Sequence, residues 1–425
     1  MQEYILKCLK ESDADAWEID DRCTEGWEFY FIRHKLDQNR AKLVEHTTVT
    51  VYKKSEDGKF LGNASIEIPQ SSTEAEIKEI IERLIRETAY VKNPVYELNK
   101  PEDHKLPESG KVNVSMIAGD FIDTMKNLPE TDTEDINSYE IFVDNINVHF
   151  MNSNGIDISY SKPSSFLEVV VNARQDDREV ELYRSYESGT CNRKYVSADI
   201  AKALSYGRDR LNTTPTPAIG KTAVIFSTKD AVSIYEYFAS RTFAAMKYSG
   251  ISTAEIGKPV IENVKGDKVT LRTVPILPDS SWNSYFDNEG AFITETTLID
   301  NNIVKNFRGS RKFSEYLGIK DSFIPRNFTV DGGTRTDEEI KSGNYIEIVE
   351  FSDFQVDPIG GDIAGEIRLG YWHHDNKVDI VSGGSVSGKL SELAGDMFLS
   401  KNQTQYDNYL IPSLTRIEGV TVSGT

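Results

Sequence analysis

Residues 221–250, KTAVIFSTKDAVSIYEYFASRTFAAMKYSG, decide the fold, because they join a short apolar run to a long helical pattern. Residues 223–226 are continuously apolar and of strand length, Ser227 or Thr228 stands where an N-cap belongs, and over 231–246 apolar and aromatic residues recur every three or four positions. The stretch predicts a buried strand feeding a helix. Hydrolytic metal sites are often built on such a helix, where two histidines and a glutamate can converge on one ion. This helix offers Glu236 and no histidine.

Immediately upstream, residues 212–220 read NTTPTPAIG, and two prolines with a glycine mark the best domain boundary. The reading is therefore an N-terminal domain over 1–215 and a C-terminal domain over 216–425 that carries the organising helix. Downstream of Gly250 the chain is strand-rich, with short runs at 269–274, 291–299, 303–307, 345–351, 366–372, 377–381 and 417–422. Many short antiparallel strands predict a β-rich barrel-like or sandwich domain.

The N-terminal half reads as α+β, an antiparallel sheet with covering helices. A short helix is predicted over 2–11, strands over 16–19 and 27–33, and a β-branched segment over 43–53 that turns at SEDGK into 60–68. Thr73, with Glu76 three residues later, opens a helix whose stripe is Ile77, Ile80, Ile81, Leu84 and Ile85. Residues 99–134 are polar and proline-punctuated, and read as a connector with a helix around 116–128. Strands follow at 138–150, 156–160 and 166–173, then a helix at 197–211. The order of strands, helix, strands, helix suggests a loose duplication.

Composition narrows the function classes. The chain has 425 residues, 38% hydrophobic and 27% charged, which suits an ordinary globular protein of two domains. Its formal net charge of −20 opposes docking to nucleic acid, which needs a Lys/Arg-lined surface. Cys8, Cys23 and Cys191 are scattered without CxxC spacing, as in a reducing compartment. No leader-like or membrane-spanning apolar run is visible, so a cytoplasmic protein without membrane contact is expected.

Residues 222–246, the segment LPDSSWNSYFDNEGAFITETTLIDNNIVKNFRGSRKFSEYLG (277–318), the run DPIGGDIAGEIRLG (357–370), the tail IPSLTRIEGVTVSG (411–424) and MNSNGIDISYSK (151–162) together resemble the TldD/PmbA family, whose members include a peptidase U62 type and proteins called modulators of DNA gyrase. The resemblance covers nearly the whole chain. It implies an N-terminal α/β domain, a β-rich C-terminal domain and, in the active branch, a peptidase site between them with HExxxH on the helix and a late cysteine as a further zinc ligand. On this sequence the motif falls on Tyr235, Glu236 and Ser240, and no cysteine follows Cys191. Tyr and Ser hydroxyls are poor zinc ligands beside imidazole and thiolate. The chain thus resembles the PmbA (TldE) branch. That resemblance implies a subunit without a cofactor of its own, a homodimer when alone, and a heterodimer with a TldD-like subunit that carries the zinc and acts on small or unfolded peptides.

Glu236 would be the general base on zinc-bound water in the active branch, and without the metal it reads as a structural carboxylate. Residues five apart sit about 140° apart around an ideal helix, so even an intact motif needs a helix end or a distortion to converge. A second cluster, Asp357, Asp362, Glu366, His373 and His374, offers Asp357, Asp362 and His373 as alternative metal or acid–base groups. Against it, adjacent strand residues point to opposite faces. GGSVSGK (383–389) satisfies G-x-x-x-x-G-K but continues with Leu390 in place of the magnesium-binding hydroxyl, and reads as a glycine-rich turn entering a helix. Two other readings stay open: a stand-alone hydrolase using Glu236 or the 357–374 cluster, and a non-enzymatic peptide- or protein-binding regulator.

Overall fold

A computed structural model describes residues 1–104 and 112–424. Residues 105–111, within the predicted connector, lie outside that description. The N-terminal half contains α1 (Gln2–Glu11), β1 (Ala16–Ile32), β2 (Lys35–Lys54), β3 (Phe60–Ile68), α2 (Glu74–Glu87), β4 (Asn93–Pro94), α3 (Val114–Lys126), β5 (Glu134–Asn152), β6 (Asp157–Gln175), β7 (Arg178–Ser188) and α4 (Arg193–Leu211). Its strands form one antiparallel sheet in the order β4-β3-β2-β1-β5-β6-β7.

The order of elements explains that sheet. A helix, a three-stranded meander and a second helix occur twice, as α1-β1-β2-β3-α2 and α3-β5-β6-β7-α4, and the two meanders join through β1 and β5. Each half has its own core. Ile5, Leu9, Ile77, Ile81 and Leu84 of α1 and α2 pack on Ile19, Val49, Val51 and Ile68. Phe121 and Met125 of α3, with Ile200 and Leu204 of α4, pack on Ile141, Val143, Leu167 and Val169. Thr73 and Glu76 form the reciprocal capping box that starts α2.

Two pairs of predicted strands are each one continuous strand. Residues 20–26 of β1, DDRCTEG, carry little apolar text, yet β2 on one side and β5 on the other hold them in the ladder. Gly26 is required there, since a Cβ would lie 2.0 Å from the Asp144 carboxylate and 2.4 Å from the Val143 carbonyl. In β6, Pro163 precedes the first residue that pairs with β7, Ser165, so its missing N–H falls where that strand has one neighbour. β7 itself was not predicted.

The C-terminal half contains β8 (Thr214–Pro215), β9 (Gly220–Phe226), β10 (Leu271–Val274), β11 (Thr296–Asp300), β12 (Ile303–Val304), β13 (Asn327–Val330), β14 (Tyr345–Val356), β15 (Asp362–His374), β16 (Lys377–Ser382), β17 (Ser385–Lys389), β18 (Met397–Leu399), β19 (Gln403–Tyr406), β20 (Tyr409–Pro412) and β21 (Thr415–Ser423). Strands β14-β9-β21-β17-β15 follow one another, and β15 pairs back to β14, closing a five-stranded barrel. A six-stranded sheet, β12-β11-β10-β13-β20-β19, shares its core, where Leu271, Leu298 and Phe328 meet Val224, Ile346 and Ile417 of the barrel. The fold is α+β, as the sequence predicts, with the C-terminal part a barrel plus a sheet.

The short helices here are α5 (Val232–Ser240), α6 (Ala244–Tyr248), α7 (Arg311–Tyr316), α8 (Asp337–Ile340) and α9 (Leu390–Leu393). The single helix predicted over 231–246 is broken at residues 241–243. Phe243 is extended, the Ala244 N–H donates to the Arg308 carbonyl, and the Arg308 N–H donates to the Thr242 carbonyl. A tertiary backbone contact has replaced a helical turn. GGSVSGK also differs from its reading: Gly383 and Gly384 turn with positive φ, but 385–389 then form barrel strand β17 before the four-residue α9. Among the described residues no helix is long and apolar enough to cross a membrane.

Candidate functional site: a cleft between sheet and barrel

β9 ends at Phe226 inside the barrel wall, and α5 begins six residues later, so this junction sets which helix residues face inward. Ile234, Tyr235 and Phe238 enter the C-terminal core. Glu236, one residue on, opens instead into a cleft whose far wall is β7 and α4 of the N-terminal sheet. Apolar periodicity made this division: the core takes the apolar stripe, leaving the carboxylate outward.

The cleft consists of two adjoining cavities. One, of about 360 Å³, is lined by β7, the start of α4, Glu236 and the turn at Asp407. The other, of about 1150 Å³, continues along β7 and α4 to β14 of the barrel. Tyr186, Tyr195, Lys229, Asp230 and Tyr406 line both. The aromatic rings meet edge to face across the cleft, with Tyr195 5.9 Å from Tyr186 and 6.1 Å from Tyr406.

Electrostatics divide the cleft. The Glu236 carboxylate has solvent access, yet desolvation by the walls raises its pKa above the usual carboxylate range. Burial likewise raises Asp230, against the Thr228 hydroxyl and Lys229, which favour its charged form. Asp407 is raised by burial too, although it accepts hydrogen bonds from the Ser281 N–H and hydroxyl, both at 2.8 Å. On the barrel side the Arg184 guanidinium lies between Glu350 and Asp199. Burial opposes its charge, and those carboxylates keep it ionised.

The three motif positions do not converge on an ion. The Tyr235 hydroxyl is buried against Thr415 Oγ1 at 2.7 Å, and burial pushes its pKa well up. Ser240 closes α5, donating to the carbonyls of Tyr237 at 2.8 Å and Pro358 at 2.7 Å. These donors are committed to the fold and do not suit zinc. Nor does the second cluster assemble. The Asp357 carboxylate caps its own turn by accepting the N–H groups of Ile359 and Gly360, which lowers its pKa. Asp362 begins β15, and His373 at the other end of that strand stacks on Tyr345 at 4.3 Å. His374 stacks on Trp372 and meets Asp379. Among the described residues no group of three or more His, Cys, Asp or Glu side chains is arranged to hold a metal.

Sequence reading placed Glu236 in focus but missed the opposite wall. Residues 178–188, REVELYRSYES, alternate Val180, Leu182, Arg184 and Tyr186 against polar neighbours, a strand signal that marks β7 without showing what it faces.

An α+β half and a half built of a five-stranded barrel and a sheet, meeting at an aromatic-lined cleft, define a class that comparison makes specific. Residues 219–424 match the PmbA/TldA metallopeptidase C-terminal domain, so the C-terminal half of the chain carries the domain of that family. Over its full length the fold matches TldE from Thermococcus kodakarensis, at a TM-score of 0.78 and 16% identity, covering 100% of both chains. It also matches a Thermotoga maritima protein described as a candidate modulator of a DNA gyrase, with a TM-score of 0.77 and 16% identity over 99% of this chain and 98% of that one. At such identities the likeness establishes the fold alone. An uncharacterized protein of Methanocaldococcus jannaschii is 22% identical over 284 residues; the match spans 62% of this chain and 64% of the relative, just under two thirds of its length.

Proposed function

We propose that this chain is the peptide-handling, zinc-free subunit of a TldD/TldE-type metallopeptidase. It holds a small or unfolded peptide in the cleft, while a TldD-like partner supplies zinc and the hydrolytic chemistry. Alone it is a homodimer, and with that partner a heterodimer, in the cytoplasm.

The observation that carries this reading is the pair of strand edges along the cleft. β7 ends the seven-stranded sheet and β19 ends the six-stranded one, and residues of both line the cavities. A terminal strand leaves alternate backbone N–H and C=O groups unpaired, and an extended peptide can satisfy them by adding a strand. Such binding reads main chain more than side chain. It suits substrates defined by lack of fold, and the tyrosines between the edges give apolar area to side chains of many kinds.

The family match of the C-terminal half and the donor set at Tyr235, Glu236 and Ser240 support the division of labour: Tyr235 and Ser240 are spent on packing and on closing the helix, and Glu236 alone faces the cleft. The test is metal content of the purified chain, with peptide hydrolysis measured before and after adding a TldD-type zinc subunit. The reading requires substoichiometric zinc and no hydrolysis alone, and hydrolysis in the mixture. Chelator-sensitive cleavage by the chain alone, abolished by Glu236→Gln, would replace it with the stand-alone enzyme.

A further inference from the structure

β7 is the terminal strand of the seven-stranded sheet, so one side of its main chain pairs with β6 and the other side is free. Which residues face which way follows from the hairpin. β6 and β7 join through a two-residue turn at 176–177, which makes Gln175 and Arg178 a hydrogen-bonded pair. The register runs on without a shift to Ser165 and Ser188, so residues 178, 180, 182, 184, 186 and 188 turn their N–H and C=O groups to β6. The Ser188 carbonyl agrees, since it accepts the Ser165 hydroxyl at 2.8 Å. Residues 181, 183, 185 and 187 therefore turn theirs outward.

This outward side is occupied at both ends. The Glu181 carbonyl meets the Arg210 guanidinium at 3.4 Å, and the Tyr183 carbonyl accepts from Arg184 at 3.1 Å. Past Glu187 the next outward residue, Gly189, donates its N–H to the Asp279 carbonyl at 2.6 Å. The chain runs so close there that a Cβ on Gly189 would stand 2.7 Å from the Ser280 carbonyl oxygen. Between those ends lie Ser185 and Glu187, both lining the smaller cavity. Among the described residues nothing pairs with their outward N–H and C=O groups, and Lys229 holds only the Ser185 hydroxyl. The Tyr186 side chain, between them, is buried on the other face, where its hydroxyl donates to Asp199.

We propose that Ser185 and Glu187 form a pairing window, beside which the main chain of a bound peptide adds, and that the rest of β7 takes no part. Their two N–H donors and two C=O acceptors match about three residues of extended chain. This rests on the peptide-handling reading above and adds to it a register and a length that a free edge alone does not impose. Asp279 already makes the neighbouring bond at Gly189, so a peptide in the window continues a pairing that the chain itself begins.

The test uses the full chain and acetyl-Ala-Ala-Phe-Ala-amide, which carries no charge, so that only main-chain and apolar contacts are read. Binding is measured by calorimetry, and hydrogen exchange of single backbone amides is followed with and without saturating peptide. The Ser185 and Glu187 amides are expected to exchange about tenfold more slowly in the complex, with those of Glu181 and Tyr183 unchanged. Glu187→Pro removes an outward donor without touching the β6 ladder, and is expected to weaken binding about tenfold. Glu179→Pro removes an outward donor beyond the cleft and leaves binding as in the native chain. Binding with unchanged exchange at Ser185 and Glu187, protection spread equally over 181–187, or equal binding by the native and Glu187→Pro chains overturns the window and leaves peptide handling standing. Absence of binding to the native chain overturns both. Should Glu187→Pro fail to fold, the exchange pattern of the native chain decides.

Discussion

Arg184 on β7 and Glu350 on β14 form an ion pair across the seam between the seven-stranded sheet and the barrel, with side chains only 13% and 10% exposed. Asp199 of α4 flanks the guanidinium at 3.5 Å and accepts the Tyr186 hydroxyl at 2.8 Å, so four side chains from both halves share one buried network. Removing one member strands a buried charge. Arg184→Met is expected to destabilise the chain by about 3–5 kcal/mol, whereas Arg184→Met with Glu350→Leu recovers most of that loss. Urea unfolding of the two single variants and the double variant checks this through the coupling energy; additive losses would mean that the pair contributes nothing as a pair.

Tyr235 supplies a second test of how the motif positions are used. Its ring and hydroxyl are fully buried, and the hydroxyl shares a 2.7 Å hydrogen bond with Thr415, which is also buried. Tyr235→Phe keeps the ring and leaves the Thr415 hydroxyl without that partner, so a loss of about 1–3 kcal/mol is expected in thermal or urea unfolding. Peptide binding in the cleft should be unaltered, because the hydroxyl points into the core. A large change in binding with unchanged stability would place Tyr235 in the site instead.

Glu236 should behave in the opposite way. It opens into the cleft, and its pKa is raised by desolvation. A raised carboxyl pKa in the folded state means that the charged form is penalised there: the penalty is absent below the unfolded value and fully developed above the folded one. Glu236→Gln is therefore expected to leave stability unchanged in acid and unchanged or slightly higher at neutral pH. Its effect should fall on peptides with a free α-ammonium group, which bind more weakly to the variant than to the native chain, while N-acetylated peptides do not. Calorimetry with the two peptide forms decides.

Local signals were legible where one element could be read by itself. α1 falls over 2–11, β3 over 60–68 and the Thr73 capping box at α2 as the sequence predicts, because propensity, apolar stripe and cap agree there. Residues 20–26 were not legible as strand, since DDRCTEG is held by pairing on both sides and not by its own composition. The break at 241–243 depends on Arg308, more than sixty residues away. The same limit applies to the site. Glu236 could be found from a helix pattern, but the Arg184–Glu350 pair joins positions 166 apart, and the placing of β7 and β19 on one cleft needs the whole topology.

A pH dependence follows from carboxyl groups buried where the N-terminal sheet meets the C-terminal half. Burial pushes Glu18 up to about 7, although the Tyr52 hydroxyl donates to it at 2.7 Å and favours its charged form. Burial, with the nearby Asp287, pushes Glu289 up to about 8, opposed by the Arg311 N–H that it accepts at 2.7 Å. Both values stand above the ordinary carboxyl value of 4.5. The folded state therefore holds these protons more tightly than the unfolded chain does, and their stabilising effect is fully present below that value. It is lost as pH rises through about 7 and about 8. Each proton so retained gives a slope of up to about 1.4 kcal/mol per pH unit. Unfolding free energy is expected to fall across this window, and Glu18→Gln with Glu289→Gln, which keeps hydrogen-bonding capacity and removes the ionisation, should flatten the profile. A native profile that rises from acid to neutral pH, or a slope that survives in the double variant, would assign the pH dependence to other groups.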